Sequence, residues 1–170
     1  MYAMTAAHKT LPFGTYITVR HLKNNRKIDV RINDRGPFAR GRILDLSYTA
    51  AKKLGIVGPG TARVEIVALG TIAQPKLSGS TGRSYIPGNY YQGKFTVQIG
   101  AFSELKNAQT LKQKLEQSFK NVYITLCYDC NSPIYRVKVG RCSSLEQAMK
   151  HEELMIQNGF EDAFAIAEDH

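Results

Sequence analysis

The chain has 170 residues, 43% hydrophobic and 22% charged, with a formal net charge of +9. That length allows one large domain or two small ones, and no run of about 18 apolar residues is present that could span a membrane as a helix. Residues 1–70 carry 12 Lys and Arg against 4 Asp and Glu, whereas residues 93–170 carry 9 against 10, so the basic character that favours anionic partners belongs to the first half.

The opening MYAMTAAHKT has neither a basic start nor an apolar run, so no signal peptide is expected within it. YITVRHL (16–22) and RKIDVRIN (26–33) alternate in polarity and are joined by Lys23-Asn24-Asn25, which predicts a β-hairpin. RILDL (42–46) is a third expected strand. Ser47 is placed to cap a short helix, YTAAKKL, that stops at Gly55. TARVEIVAL (61–69) is a further strand, with Ala62, Val64, Ile66 and Ala68 expected on one face. Several short strands with one small helix predict a small closed β-barrel.

GTIAQPKLSGSTGRSYIPGNYYQG (70–93) is rich in Gly, Ser, Thr and Pro without sustained periodicity, and residues 71–93 are expected to form a flexible linker between residues 1–70 and 94–170. The second segment contains an internal echo. FTVQIGAFSELKNAQ from Phe95 and YRVKVGRCSSLEQAM from Tyr135 align at an offset of 40 residues. Each reads as a strand, a glycine, a serine cap and an amphipathic helix. Leu105, Ala108, Leu111, Leu115 and Phe119 form the apolar stripe of the first helix, and Ser143-x-x-Glu146 fits a capping box at the second. With VYITLCY (122–128) and DAFAIAE (162–168) as the remaining strands, the order βαββαβ predicts a four-stranded antiparallel sheet with two helices on one face. Val97, Ile99, Val137 and Val139 are expected against the helices. Thr96, Gln98, Ile134, Arg136 and Lys138 fall on the opposite face, either as a solvated surface or as a row of groups able to hydrogen-bond sugars or stack bases.

The cysteines, Cys127, Cys130 and Cys142, include one C-Y-D-C pair without a second pair or a nearby histidine, so no metal site is expected. A short-loop disulfide between Cys127 and Cys130 and three free thiols both remain open. No cofactor is expected. Asp34, between Arg31 and Arg35 and ahead of Gly36-Pro37, reads either as a turn-forming carboxylate or as a group that moves a proton.

TAAHKTLPFGT (5–15), RINDRGPF (31–38) and RILDLSYTAAKKLG (42–55) resemble the double-psi β-barrel of the rare lipoprotein A family, bacterial lipoproteins of the outer membrane. VQIGAF (97–102) and YRVKVG (135–140) resemble a SPOR domain, the peptidoglycan-binding module often joined to that barrel. The resemblance implies an all-β barrel followed by an α+β SPOR domain. It further implies lytic transglycosylase action on glycan strands stripped of stem peptides, peptidoglycan as partner, and a periplasmic setting at the division septum. It places catalytic roles on His8 and Asp34, with Asp45 as a weaker candidate, and glycan contacts on Gln98 and Arg136. Some members have an aromatic residue where this chain has Ile134. By family spacing the catalytic glutamate, the first barrel strand and the lipid-bearing cysteine fall before Met1, so an N-terminally truncated barrel is expected. Membrane attachment would come only through that lipid, and septal division proteins would be further partners. The alternative is a wall-binding protein without catalysis. Nucleic acid is not an expected partner, because the second half is slightly acidic and its repeat strands lack the aromatic RNA-binding consensus.

Overall fold

The computed structural model describes residues 3–73, 83–129 and 132–168. The chain divides into two compact units, Met1–Asn89 and Tyr90–His170.

Unit 1 contains β1 (Thr5–Ala7), β2 (Tyr16–His21), β3 (Lys27–Asp34), β4 (Asp45–Leu46), α1 (Tyr48–Leu54), β5 (Val64–Ile72) and β6 (Tyr85–Ile86). The strands form one sheet in the order β4-β1-β3-β2-β5-β6. The β2–β3 hairpin forms as expected, with Asn25 in the left-handed region at φ 57. Alternation sends Ile17, Val19, Val30 and Ile32 inward, and all four are fully buried. Ser47 caps α1 by accepting from the Ala50 N–H, and Gly55 ends the helix at φ 84.

Three features differ from the expectation. β1 was not anticipated as a strand; its three residues are too few to show a period, and it pairs in parallel with β3 and antiparallel with β4. Only Asp45 and Leu46 of the expected strand 42–46 pair. On β5 Val64 and Ile66 are partly buried, but Ala68 is exposed although it pairs in register with Ile17; beyond it the register with β2 shifts by one residue, passing Leu69. β5 also continues past residue 70, and Thr71 and Ile72 pair with Ile86 and Tyr85. Part of the expected linker is therefore sheet. Gly70 makes this pairing feasible: at φ +123, a Cβ there would stand 2.1 Å from the Ile86 carbonyl oxygen.

Unit 2 contains β7 (Gln92–Phe102), α2 (Leu105–Glu116), β8 (Val122–Asp129), β9 (Ser132–Ser144), α3 (Leu145–Gln157) and β10 (Phe164–Ala167). The sheet order is β10-β7-β9-β8, antiparallel throughout. This is the expected βαββαβ arrangement. Val97, Ile99, Val137 and Val139 share one core with Ala108 and Leu115 of α2 and Met155 of α3, so both helices cover the same face. Passing Ile99, the β7–β9 register slips by one, which turns Phe102 toward that core with Tyr135.

The helix starts fall one residue later than expected. α2 begins after Glu104, whose side chain makes no capping bond, rather than after Ser103. On the α2 stripe Ala108 and Leu115 are buried, while Leu105 is exposed and Phe119 lies beyond the helix. At α3 the cap is Ser144, accepting from the Gln147 N–H, while the Gln147 side-chain oxygen accepts from Ser143 N–H at 3.1 Å and Ser143 O–H at 3.2 Å. The cap is thus Ser144, and the residue that reaches back is Gln147 rather than Glu146, accepting from Ser143 rather than from the cap residue itself. Glu146 instead accepts from Lys150 one turn on, at 2.7 Å.

Candidate active site and glycan-binding face

Three neighbouring strands bring the candidate catalytic residues of unit 1 together. Ala7 on β1 pairs with Asp34 on β3 and with Asp45 on β4. The two aspartates flank one strand, about two strand spacings (~10 Å) apart at their Cα atoms. His8 follows Ala7 directly, and its N–H donates to the Asp34 carbonyl at 3.1 Å. Residues far apart in sequence thus meet at one end of the sheet.

The loop after β1 holds His8 in a defined state. Its Nδ1 accepts from Thr10 N–H at 3.1 Å and Leu11 N–H at 3.0 Å. Nδ1 is therefore the acceptor, and the proton of the neutral ring sits on Nε2. Burial, reinforced by the nearby Arg35 and Lys9 charges, lowers its pKa to about 4. His8 is thus a neutral ring offering one N–H at physiological pH. Arg35 organises the same loop: its Nη1 donates to the carbonyls of His8 at 3.0 Å and Leu11 at 2.6 Å, and its guanidinium lies 4.1 Å from the Phe13 ring centre.

Asp34 is exposed at the end of β3, and its Oδ1 accepts from the Arg35 backbone N–H at 2.7 Å. The carboxylate thus shapes the turn and also faces solvent. The peptide bond Gly36-Pro37 that follows is cis. Asp45 is half-buried and pairs with Arg42 at 3.3 Å. A cleft of about 880 Å³ includes Asp45, Ile43, Tyr48, Val57 and Arg63 in its lining. A second cleft, of about 600 Å³, lies along the outer face of β3. His8 and Asp34 line neither. Among the described residues, no group of three or more His, Cys, Asp and Glu is placed to hold a metal ion.

In unit 2 the helix-free face of the sheet is less open than its pattern predicts. Thr96 and Gln98 are buried. The Thr96 hydroxyl donates to the carbonyls of Val139 or Gly140, at 3.2 and 2.9 Å. Gln98 stands between Phe164 on β10 and Lys138 on β9, and Lys138 pairs in turn with Tyr123 on β8. The side-chain oxygen of Gln98 is buried without a hydrogen-bond partner among the described residues. Lys138 lies 3.9 Å from Glu168, which accepts the Tyr123 hydroxyl proton in a short hydrogen bond. Burial and that bond push the Tyr123 phenol far above its ordinary pKa, so it stays protonated. Arg136 and Ile134 are half-buried further along β9, opposite Thr125 and Cys127. The side chains of the neighbouring strands wall in the short polar groups, which a two-residue alternation rule cannot anticipate.

Cys127 and Cys142 are free thiols; Cys127 donates weakly to the Ile134 carbonyl at 3.4 Å, and Cys142 is buried 3.6 Å from His151 Nδ1. Cys130, and with it the expected C-Y-D-C pair, lies outside the described residues.

Comparisons with known proteins agree with both halves. Residues 1–66 match the family described as lytic transglycolase, and residues 91–167 match the SPOR domain. The class is therefore a double-psi β-barrel of the lytic transglycolase type followed by a SPOR domain. The endolytic peptidoglycan transglycosylase RlpA of Helicobacter pylori strain J99 is 38% identical over 172 residues, covering 93% of this chain and 54% of the relative. The protein of that name from Pasteurella multocida is 34% identical, covering 93% and 51%. Over the barrel alone, RlpA of Pseudomonas aeruginosa is 56% identical across 66 residues, 39% of this chain and 19% of that protein. Both halves of the chain are thus similar to the corresponding parts of RlpA proteins. It spans about half the length of the curated relatives it matches across both halves. The solved SPOR domain of Pseudomonas aeruginosa RlpA matches 45% of this chain and 100% of its own length at 21% identity, with a TM-score of 0.39.

Proposed function

We propose that the chain carries the barrel and glycan-binding portion of an endolytic peptidoglycan transglycosylase acting on strands stripped of stem peptides. The observation that carries this reading is the register that flanks Ala7 with Asp34 and Asp45 and sets His8 beside them. In this reaction the muramic 6-hydroxyl oxygen bonds to C1 of the same sugar. The C1–O4 bond to the next N-acetylglucosamine breaks, and the hydroxyl proton ends on the departing O4. No water enters, so one carboxylate can accept the proton and then pass it on. This differs from hydrolysis, in which two carboxyl groups divide the work around a water. Asp34, exposed and oriented by the Arg35 N–H, suits the relay. His8 offers Nε2–H to a sugar oxygen and does not compete for the proton, because its ring resists protonation. Asp45, on the other side of Ala7 and tied to Arg42, is the weaker candidate and takes no step in this scheme.

Unit 2 would hold the same polymer through Gln98, Arg136 and Ile134 on its helix-free sheet face. Such work belongs in the periplasm; attachment to the outer membrane by a lipid and recruitment by septal division proteins extend the reading. A non-catalytic wall binder is the second reading, favoured by the position of Asp34 and His8 outside both clefts. Incubating stem-stripped glycan with the chain and with Asp34→Asn, followed by mass spectrometry, separates the two. Anhydro-ended fragments from the unsubstituted chain alone support the enzyme. Retention of glycan without such ends leaves the binder.

A further inference from the structure

The cleft along the outer face of β3 is not used by the reaction described above. Its lining includes Lys27, Asp29 and Arg31 of β3, Lys53 of α1, Arg83 and Tyr16. Lys27, Asp29 and Arg31 alternate outward on one strand, and all are exposed. The single carboxylate is already engaged, since Asp29 Oδ1 accepts from the Thr18 hydroxyl at 2.7 Å. Arg83 lies over the Tyr16 ring at 5.9 Å, and Tyr85 packs on Tyr16 with ring centres 5.6 Å apart. Four cations thus converge on a concavity of about 600 Å³ with an aromatic wall, and they come from three separate parts of unit 1. Like charges gathered in a cleft repel one another, so folding alone gives no reason for the arrangement. An anionic ligand with a stackable apolar surface does.

We infer that this cleft binds the free lactyl carboxylates of stem-stripped glycan, with Arg31, Lys27, Lys53 and Arg83 facing the charge and Tyr16 facing a sugar ring. The inference rests on the transglycosylase reading and deepens it. When the amide joining a stem peptide to the muramic lactyl group is hydrolysed, each muramic residue gains a carboxylate. A strand with its peptides attached carries a bulky amide at that position. A guanidinium fork matches a carboxylate with two parallel hydrogen bonds, and a pyranose face packs on an aromatic ring. The location fits one continuous ligand. Arg31 is three residues before Asp34 on the same strand, about 10 Å along it, so a strand held by its carboxylates here can extend to the candidate catalytic end. A preference for stripped glycan would then be set partly in the barrel, in addition to any preference of the SPOR domain.

The test titrates the isotope-labelled 170-residue chain with stem-stripped glycan oligosaccharides, and separately with the same oligosaccharides after their lactyl carboxylates are converted to methylamides. Backbone amide shifts report each unit independently. The expected result is shifts at Lys27–Arg31 and Lys53 with the carboxylate form and their loss with the amide form. The double variant Arg31→Gln/Lys53→Gln is expected to weaken the barrel response roughly tenfold while the unit 2 response is unchanged. Shifts confined to unit 2 overturn the cleft but leave the glycan reading standing. Equal barrel shifts with both glycans overturn carboxylate recognition, and equal shifts with an RNA oligonucleotide or heparin overturn it in favour of general polyanion binding. No shifts in either unit sink both readings.

Discussion

Lowering the pH is expected to destabilise unit 1 through His8. Its Nδ1 accepts two backbone N–H groups, from Thr10 and Leu11. A protonated ring would place a third donor against them, and the Arg35 and Lys9 charges oppose the new positive charge. The folded-state pKa of about 4 lies below the ordinary value of 6.5. Between these values the unfolded chain binds a proton that the folded chain refuses, so stability rises with pH. The contribution is complete above pH 6.5 and is lost as the pH falls to about 4. A difference of this size has an upper limit of about 3.4 kcal/mol. His8 is only half-buried and solvent screens the neighbouring charges, so about 2 kcal/mol is the expected loss. Histidine ring NMR gives the pKa directly, and urea melts followed on unit 1 amides at pH 7, 5.5 and 4.5 give the stability. His8→Asn is the control, since its side-chain oxygen can accept the same loop N–H groups without titrating. A His8 ring that titrates near 6.5, or an equal pH slope in wild type and His8→Asn, refutes the reasoning.

Other outcomes follow from the same geometry. Asp34→Asn is expected to abolish anhydro-end formation by about a hundredfold or more, while thermal melting shifts little, because the residue is exposed and an amide oxygen can still accept from Arg35 N–H. Gly70→Ala should cost about 1–3 kcal/mol through a strained φ and the clash with Ile86, visible as lost exchange protection at Thr71 and Ile72. Gln98→Leu should leave the melting temperature of unit 2 unchanged or raised, since it removes a buried oxygen without a partner among the described residues, while retention on stem-stripped glycan falls. Leu115→Ala, in the shared core of α2 and the sheet, should destabilise unit 2 by about 2–5 kcal/mol in denaturant melts.

Local pattern alone was sufficient for the β2–β3 hairpin, for α1 with its Ser47 and Gly55 boundaries, and for the repeated strand–helix units of the second half. In each, the period of apolar residues and the chemistry of the ends act over a few neighbouring positions. The motifs around His8 and Asp34 were also legible, because they are contiguous segments with distinctive residues. Their meeting was not. It depends on β1, three residues long, lying between β3 and β4, and no short window records which strands become neighbours. The neutral, single-donor state of His8 likewise comes from a loop folding back onto its ring, and the basic cleft gathers Lys27, Lys53 and Arg83 from distant parts of the chain. Gln98 shows the same limit from the other side: alternation placed it correctly on the helix-free face, but its burial comes from side chains on adjacent strands. Periodicity decides which way a residue points; only the packed structure decides what it meets there.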